Sequence, residues 1–172
     1  SSALSKSLTR LSSGLKIVNP SDDAAGLAVS SRLESQIRRL DAALNNVVNA
    51  VSFTQTQDGF LKTIDKALRR MGELAMLSQD STKSTSDRTL YNQEFAQLQD
   101  YIRATAVKDF NSVSLFSSTT FAVTIDSAGS TFNIPGTPIL GSSGYDNAIS
   151  TAVVLTSSTS ALAALDYVGS AI

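Results

Sequence analysis

The chain contains no cysteine and no histidine. Without cysteine there is no disulfide framework and no thiolate metal site. Without histidine, Ser-His and Cys-His nucleophilic catalysis and the commonest zinc arrangements are excluded as well. A lack of cysteine suits an exported protein that passes unfolded through a narrow channel, though many cytosolic proteins share it. Fourteen basic and fifteen acidic residues leave a net charge of −1, so no global field attracts nucleic acid or an anionic membrane. No run of 18 or more apolar residues exists, so no membrane-inserted helix is expected. No basic-then-apolar leader is expected. The chain opens at Ser1-Ser2-Ala3-Leu4, inside a helical pattern, and both ends are expected to be cut from something longer.

Aromatic residues are scarce, 6% against 42% apolar overall. Alanine, leucine and valine therefore do most of the burying, which suits narrow helix–helix seams better than a thick globular core. Proline is scarcer still, and none falls between Asp22 and Ser81. That stretch carries Leu33, Ile37, Leu40, Leu44, Val47 and Val51 at alternating spacings of four and three. Residues 3.5 apart on average stay on one face, the seam of a helix that packs lengthwise against others. Such a helix would measure roughly 90 Å, a length that suits a filament subunit better than a globule. The seam turns polar at Thr54 and Asp58, then resumes out of phase at Leu61, Ile64, Leu68, Met71 and Ala75, which locally alters the supercoil or hands the face to a different partner. Glu34–Arg38, Asp58–Lys62 and Asp65–Arg69 are i, i+4 pairs that add a few tenths of a kcal/mol each. Gly59 and Gly72 each cost about 1 kcal/mol relative to alanine.

Before this stretch, Leu4, Leu8 and Leu11 mark a short helix, with Gly14 as its stop. An extended connector through Pro20 follows, and Ser21 or Asp22 is the expected cap of the long helix. After it, 80–87 is a polar turn, and Ser86 or Asp87 is expected to cap a third helix running to about Val107. Its face carries Tyr91, Phe95, Leu98 and Ile102, and so short a turn folds it back antiparallel. The Leu33–Val51 seam is expected to meet this third helix and a returning C-terminal one. Phe110 to Leu115 alternates tightly. From Ser117 the composition shifts to serine, threonine and glycine. Phe121, Val123 and Ile125, then Phe132 and Ile134, read as a hairpin. Residues 135–144 read as loop, Ala148 to Leu155 as a strand or short helix with the strand preferred. Ser157 or Ser158 then caps a last helix from Ala161. The fold class is mainly α: a long antiparallel helical rod with a small β-hairpin region.

Candidate chemistry is thin. Asp22-Asp23 is the one adjacent acid pair at a helix start, where carboxylates commonly complement the helix dipole. Gly141-Ser142-Ser143-Gly144 has no following lysine and does not form a phosphate loop. Arg32, Arg38, Arg39, Lys62, Lys66, Arg69 and Arg70 sit beside acids without interleaved aromatics, the pattern of a solvated helix face, not a nucleic-acid surface. No enzyme, cofactor or metal is expected.

Several motifs carry a resemblance. Leu11-Ser12-Ser13-Gly14-Leu15-Lys16-Ile17 and Asp22-Asp23-Ala24-Ala25-Gly26-Leu27-Ala28 closely resemble the N-terminal signature of bacterial flagellin. Gln55 to Leu61, Glu73-Leu74-Ala75 and Phe110 to Leu115 continue it, one collinear block over about 4–116. Ser160 to Asp166 looks like the start of the family's C-terminal helix. The resemblance implies a secreted, non-enzymatic subunit of the extracellular flagellar filament, exported without a cleaved signal peptide. Its partners would be other copies of itself and the flagellar cap and junction proteins, and it would insert into no membrane. Residues 1–21 would connect to an axial coiled coil, 22–116 form the rod, 117–155 a variable insert and 156–172 the returning rod helix. Ser12, Ser13, Gly14, Asp22, Asp23 and Gly26 would form the signature loop. The resemblance further implies recognition by a mammalian Toll-like receptor, with Arg70, Leu74 and Glu94 as contact residues. Those same residues also fit subunit contact or ordinary helix packing, Leu74 as a flank of the Met71/Ala75 seam. Two alternatives stay open: a hook–filament junction protein, against which Asp23-Ala24-Ala25-Gly26 speaks, and a generic helical binding module.

Overall fold

The structure, a computed structural model, describes residues 2–14 and 23–172. Helix α1 spans Ser2–Ser13, α2 Ala24–Gln79 and α3 Thr85–Ala106. Strands β1 (Asp109–Phe110), β2 (Val113–Ser114), β3 (Phe121–Thr124) and β4 (Thr131–Ile134) follow, then α4 (Ser143–Ile149) and α5 (Ser158–Ala171). The chain divides into two compact units, Ser1–Val47 with Thr124–Phe132, and Val48–Val123 with Asn133–Ile172. The class is mainly α, as the periodicities indicate, with two small β-hairpins where one is expected from sequence.

In the first unit, α1 stops where expected, because Gly14 takes a φ of +68° that ends the last turn. Ser21 and Asp22, the expected caps of α2, lie outside the described residues; the cap is Asp23. Its Oδ1 accepts from the Gly26 N–H at 2.8 Å, and its carbonyl accepts from the Leu27 N–H at 3.0 Å. Leu33, Ile37, Leu40 and Leu44 keep between 49% and 61% of their surface exposed. This corrects the expectation that their seam meets the third helix and a returning C-terminal one.

The reason for that correction lies in the second unit. The turn after Gln79 is short, and α3 has 22 residues, about 33 Å of helix. It therefore runs back only along the later part of α2. Ser78 O accepts from Arg88 Nε at 2.8 Å, Glu94 meets Arg70, and Leu115 O accepts from Gln57 Nε2 at 2.6 Å. The second phase of the α2 pattern supplies the core: Ile64, Leu68, Met71, Leu74 and Ala75 are buried with Phe95 and Ile102 of α3. Burying a large aliphatic or aromatic side chain contributes about 1.5–3 kcal/mol, so this seam is where the antiparallel pair is held. The cap of α3 is Ser84, not Ser86 or Asp87. Ser84 Oγ accepts from the Asp87 N–H at 3.1 Å while Asp87 Oδ2 accepts from the Ser84 N–H at 3.0 Å. Asp87 thus closes a reciprocal capping box from the third helical position.

After α3 the chain turns through β1 and β2, an antiparallel pair in which Asp109 faces Ser114 and Phe110 faces Val113. Phe53 of α2 meets Phe110 edge-on, centroids 5.9 Å apart, and Phe121 of β3 at 5.2 Å. The hairpin read from alternating apolar residues is present as β3–β4. Residues 148–155 are not a strand. They comprise the end of α4 and an irregular segment whose carbonyls bond to side chains instead of a neighbouring strand. The buried Gln99 directs its Nε2 at the carbonyls of Ala148 (3.1 Å), Ser150 (2.9 Å) and Val153 (3.3 Å), and Arg103 bonds that of Ile149. The loop expected through 144 likewise ends early, since α4 starts at Ser143. Gly144 permits a close approach there: a Cβ would stand 2.9 Å from the Ser170 carbonyl oxygen. Helix α5 begins on Ser157, which forms a capping box with Ser160, and buries Ala161, Ala164, Val168 and Ala171.

Candidate functional site

Of the three residues singled out for contact, two form one feature and the third is buried in the core. Arg70 leaves α2 and Glu94 leaves α3, brought opposite one another by the antiparallel return. Asp80 holds that return, its Oδ1 accepting from both the N–H and the hydroxyl of Thr82 at 2.9 Å. Arg88 straps it by donating to the carbonyls of Ser78 and Asp80. The Arg70 guanidinium then meets Glu94 as a fork: Nε to Oε1 at 2.7 Å and Nη2 to Oε2 at 3.1 Å. Its remaining nitrogen, Nη1, donates to Glu73 Oε2 at 2.9 Å. Two parallel charge-assisted bonds fix direction as well as distance. The hydrogen bond from Arg70 holds the Glu94 carboxyl below the ordinary glutamate range, and Glu94 with Glu73 raises the Arg70 pKa.

The pair is on the surface, with side chains 44% and 43% exposed. Leu74 is not; its exposure is 0%, within the same cluster as Met71 and Phe95. The Met71/Ala75 flank reading accounts for its position. Leu77, seven residues beyond Arg70, and Leu90, four before Glu94, fall on the helix faces that carry the pair, and both are exposed. Sequence reasoning missed Glu73, although its i, i+3 spacing from Arg70 was available, and it had no means of finding the Gln99 clamp.

Three other charged pairs along α2 lie on its solvated face. Arg38–Glu34, Lys62–Asp58 and Arg69–Asp65 form the three expected i, i+4 ion pairs. Among the described residues there is no group of three or more metal-ligating side chains, and no helix is long and apolar enough to cross a membrane. Residues 1–120 match the family described as the bacterial flagellin N-terminal helical region. The chain belongs to the bacterial flagellin family. It is 41% identical over 115 residues to a flagellin of Halalkalibacterium halodurans, covering 66% of this chain and 42% of that one. To the flagellar filament 41 kDa core protein of Borreliella burgdorferi it is 45% identical over 103 residues, covering 60% and 31%. A crystal structure of Bacillus cereus flagellin shares the fold, with a TM-score of 0.62 over 75% of this chain and 74% of that one, at 23% identity. The chain spans less than half the length of these two curated relatives.

The residues that the resemblance implies for a signature loop fall in the first unit. Ser12 and Ser13 end α1, with Ser13 Oγ donating to the Arg10 carbonyl at 3.3 Å, and Gly14 follows in the left-handed region. Asp22 lies outside the described residues. Asp23 and Gly26 form one device: a Cβ at Gly26 would stand 2.4 Å from Asp23 Oδ2, so a glycine there lets the carboxylate close on the Gly26 N–H. Asp23 is exposed at a helix start, where it caps. Gly72, two residues from Arg70, leaves α2 unbroken. A Cβ there would stand 3.8 Å from Val168 Cγ1, an ordinary contact, so packing does not demand the glycine.

Proposed function

We propose that the whole protein is a structural subunit of the flagellar filament, built for motility, exported without a cleaved signal peptide and assembled outside the cell by lateral and axial helix packing. The observation that carries this reading is the uncovered seam of Leu33, Ile37, Leu40 and Leu44, in a chain whose first 120 residues match flagellins. A stripe of that spacing on a long helix stabilises nothing until another helix covers it. Repeated head-to-tail contacts between identical subunits give open filaments instead of closed rings. The cap and junction proteins are the partners expected at the two ends of such a filament. Negative-stain microscopy of the untruncated protein beside residues 1–172 alone tests the proposal. Filaments are expected from the untruncated protein only. No filaments from it would overturn the reading, and filaments from residues 1–172 alone would place assembly in the wrong part of the chain.

A second reading concerns the Arg70–Glu94 fork. We infer that it is the face a mammalian Toll-like receptor recognises, because it is exposed, fixed in direction and flanked by Leu77 and Leu90. Leu74 supports that face from below. Subunit contact in the filament uses the same chemistry. Reversing the charge in Arg70→Glu of the untruncated protein should lower the response of receptor-reporter cells; an unchanged response would sink the receptor reading.

A further inference from the structure

The sequence has two methionines and no cysteine, so all of its sulfur chemistry lies in two thioethers. They stand five residues apart on α2, at Met71 and Met76. Five residues turn a helix through about 500°, which leaves the two side chains roughly 140° apart around the axis. That angle separates two environments. Met71 is 0% exposed, in the core with Leu68, Leu74 and Phe95, whereas Met76 is 62% exposed and outside that cluster.

We propose that Met76 is a modification site, the position at which two-electron oxidants such as hydrogen peroxide or a hypohalous acid convert this chain to a methionine sulfoxide. In the peroxide case a lone pair on Met76 Sδ attacks one peroxide oxygen and the O–O bond breaks. An S–O bond forms, and the departing hydroxide takes up the proton of the transferred oxygen and leaves as water. The sulfur loses two electrons and the peroxide gains them. The product is polar and chiral where the thioether was apolar. At Met76 the new oxygen points to water and no core contact is lost, so the helix carries the lesion without unfolding. At Met71 the same oxygen would be a buried acceptor with no donor, and the oxidant reaches that sulfur only when the unit opens.

The test is a peroxide time course on the 172-residue chain, with peptide mass spectrometry at each methionine and circular dichroism in parallel. Met76 is expected to gain one oxygen while Met71 reacts about tenfold or more slowly, set by opening of the unit. Helicity should be unchanged when one oxygen has been added. A methionine sulfoxide reductase should reverse that addition. Met76→Leu should remove the fast phase and leave the slow one. Equal rates at the two methionines, faster reaction at Met71, or loss of helicity at the first oxygen would each overturn the proposal.

Discussion

Arg70 and Glu94 lie 24 residues apart in sequence and meet fork to fork, Nε on Oε1 and Nη2 on Oε2, across the α2–α3 return. The bond is made to the charged form of Glu94, so its pKa is depressed in the folded chain. A depressed carboxyl contributes stability above its unfolded-state pKa and loses that contribution as pH falls through the lower folded value. The contribution should therefore be complete above the ordinary 4.5 and fade below it. Carboxyl NMR titration should find Glu94 below that value, and Arg70→Ala should move it upward. A Glu94 that titrates normally in the unsubstituted chain would show that the fork is not formed in solution.

Leu74 should behave as a different kind of residue. It is fully buried, and removing a leucine side chain from a core costs about 2–5 kcal/mol, the spread reflecting how far the site collapses. Leu74→Ala should lower the denaturant midpoint strongly, while Glu94→Gln, at the exposed pair, should barely move it. Comparable, small effects from both would show that Leu74 is not packed as described. A loss of receptor response in Leu74→Ala therefore needs a stability measurement beside it before it counts as a contact.

Gln99 holds an element that sequence could not anticipate. One amide nitrogen serves three carbonyls of residues 148–153. Gln99→Leu removes the side-chain donor to the Ala148 and Val153 carbonyls, while Ser150 O keeps the Val153 N–H, at a cost of about 1–3 kcal/mol. Hydrogen exchange should also speed up in the segment after α4. Unchanged stability would mean that water or Arg103 replaces the amide without loss.

The turn between β1 and β2 offers a gain. Asn111 and Ser112 both take positive φ, 50° and 63°. Asparagine tolerates that region, but for serine it costs roughly 1–2 kcal/mol. Ser112→Gly removes that strain and loses part of it to the greater freedom of glycine in the unfolded chain, about 0.4–1 kcal/mol. A net stabilisation of about 0.5–1 kcal/mol by chemical denaturation is expected, since Asn-Gly is the favoured pair in such turns. A destabilised variant would indicate that the Ser112 hydroxyl contributes something the geometry does not reveal.

The helices were legible because their signals are local. The period from Leu61 to Ala75, the Gly14 stop and the Ser157 cap each depend on residues within a turn or two of one another. Caps were legible only to within a few residues. Ser86 and Asp87 are as good in composition as Ser84, and only Ser84 has the extended backbone, at ψ 164°, that a cap requires. What failed depended on distance in space. Ala148 to Leu155 reads as a strand or short helix, with the strand preferred, but side chains of Asn92, Gln99 and Arg103, far earlier in the chain, take hydrogen bonds a neighbouring strand would make. Arg70 and Glu94 were reached through a resemblance. Their pairing follows from the length of a turn and a helix, which spacing alone hints at without fixing.

The Leu33–Val51 seam is a helix face, as its spacing indicates, but neither α3 nor a returning C-terminal helix covers its first four leucine and isoleucine positions, and that difference yields the sharpest prediction. Surface substitutions away from special features usually change stability by less than about 0.5 kcal/mol. Ile37 and Leu40 are 58% and 49% exposed. Ile37→Gln with Leu40→Gln should therefore leave the melting temperature of residues 1–172 unchanged. In the untruncated protein, if the seam is where another helix packs, the same pair removes two aliphatic groups from a buried contact. Each such group contributes about 1.5–3 kcal/mol when fully covered. Filament formation, followed by sedimentation, should then fail while the isolated chain melts as before. Lowered stability in residues 1–172 would mean that the seam is already covered within this chain. Normal filaments from the doubly substituted protein would mean that nothing needs to cover it.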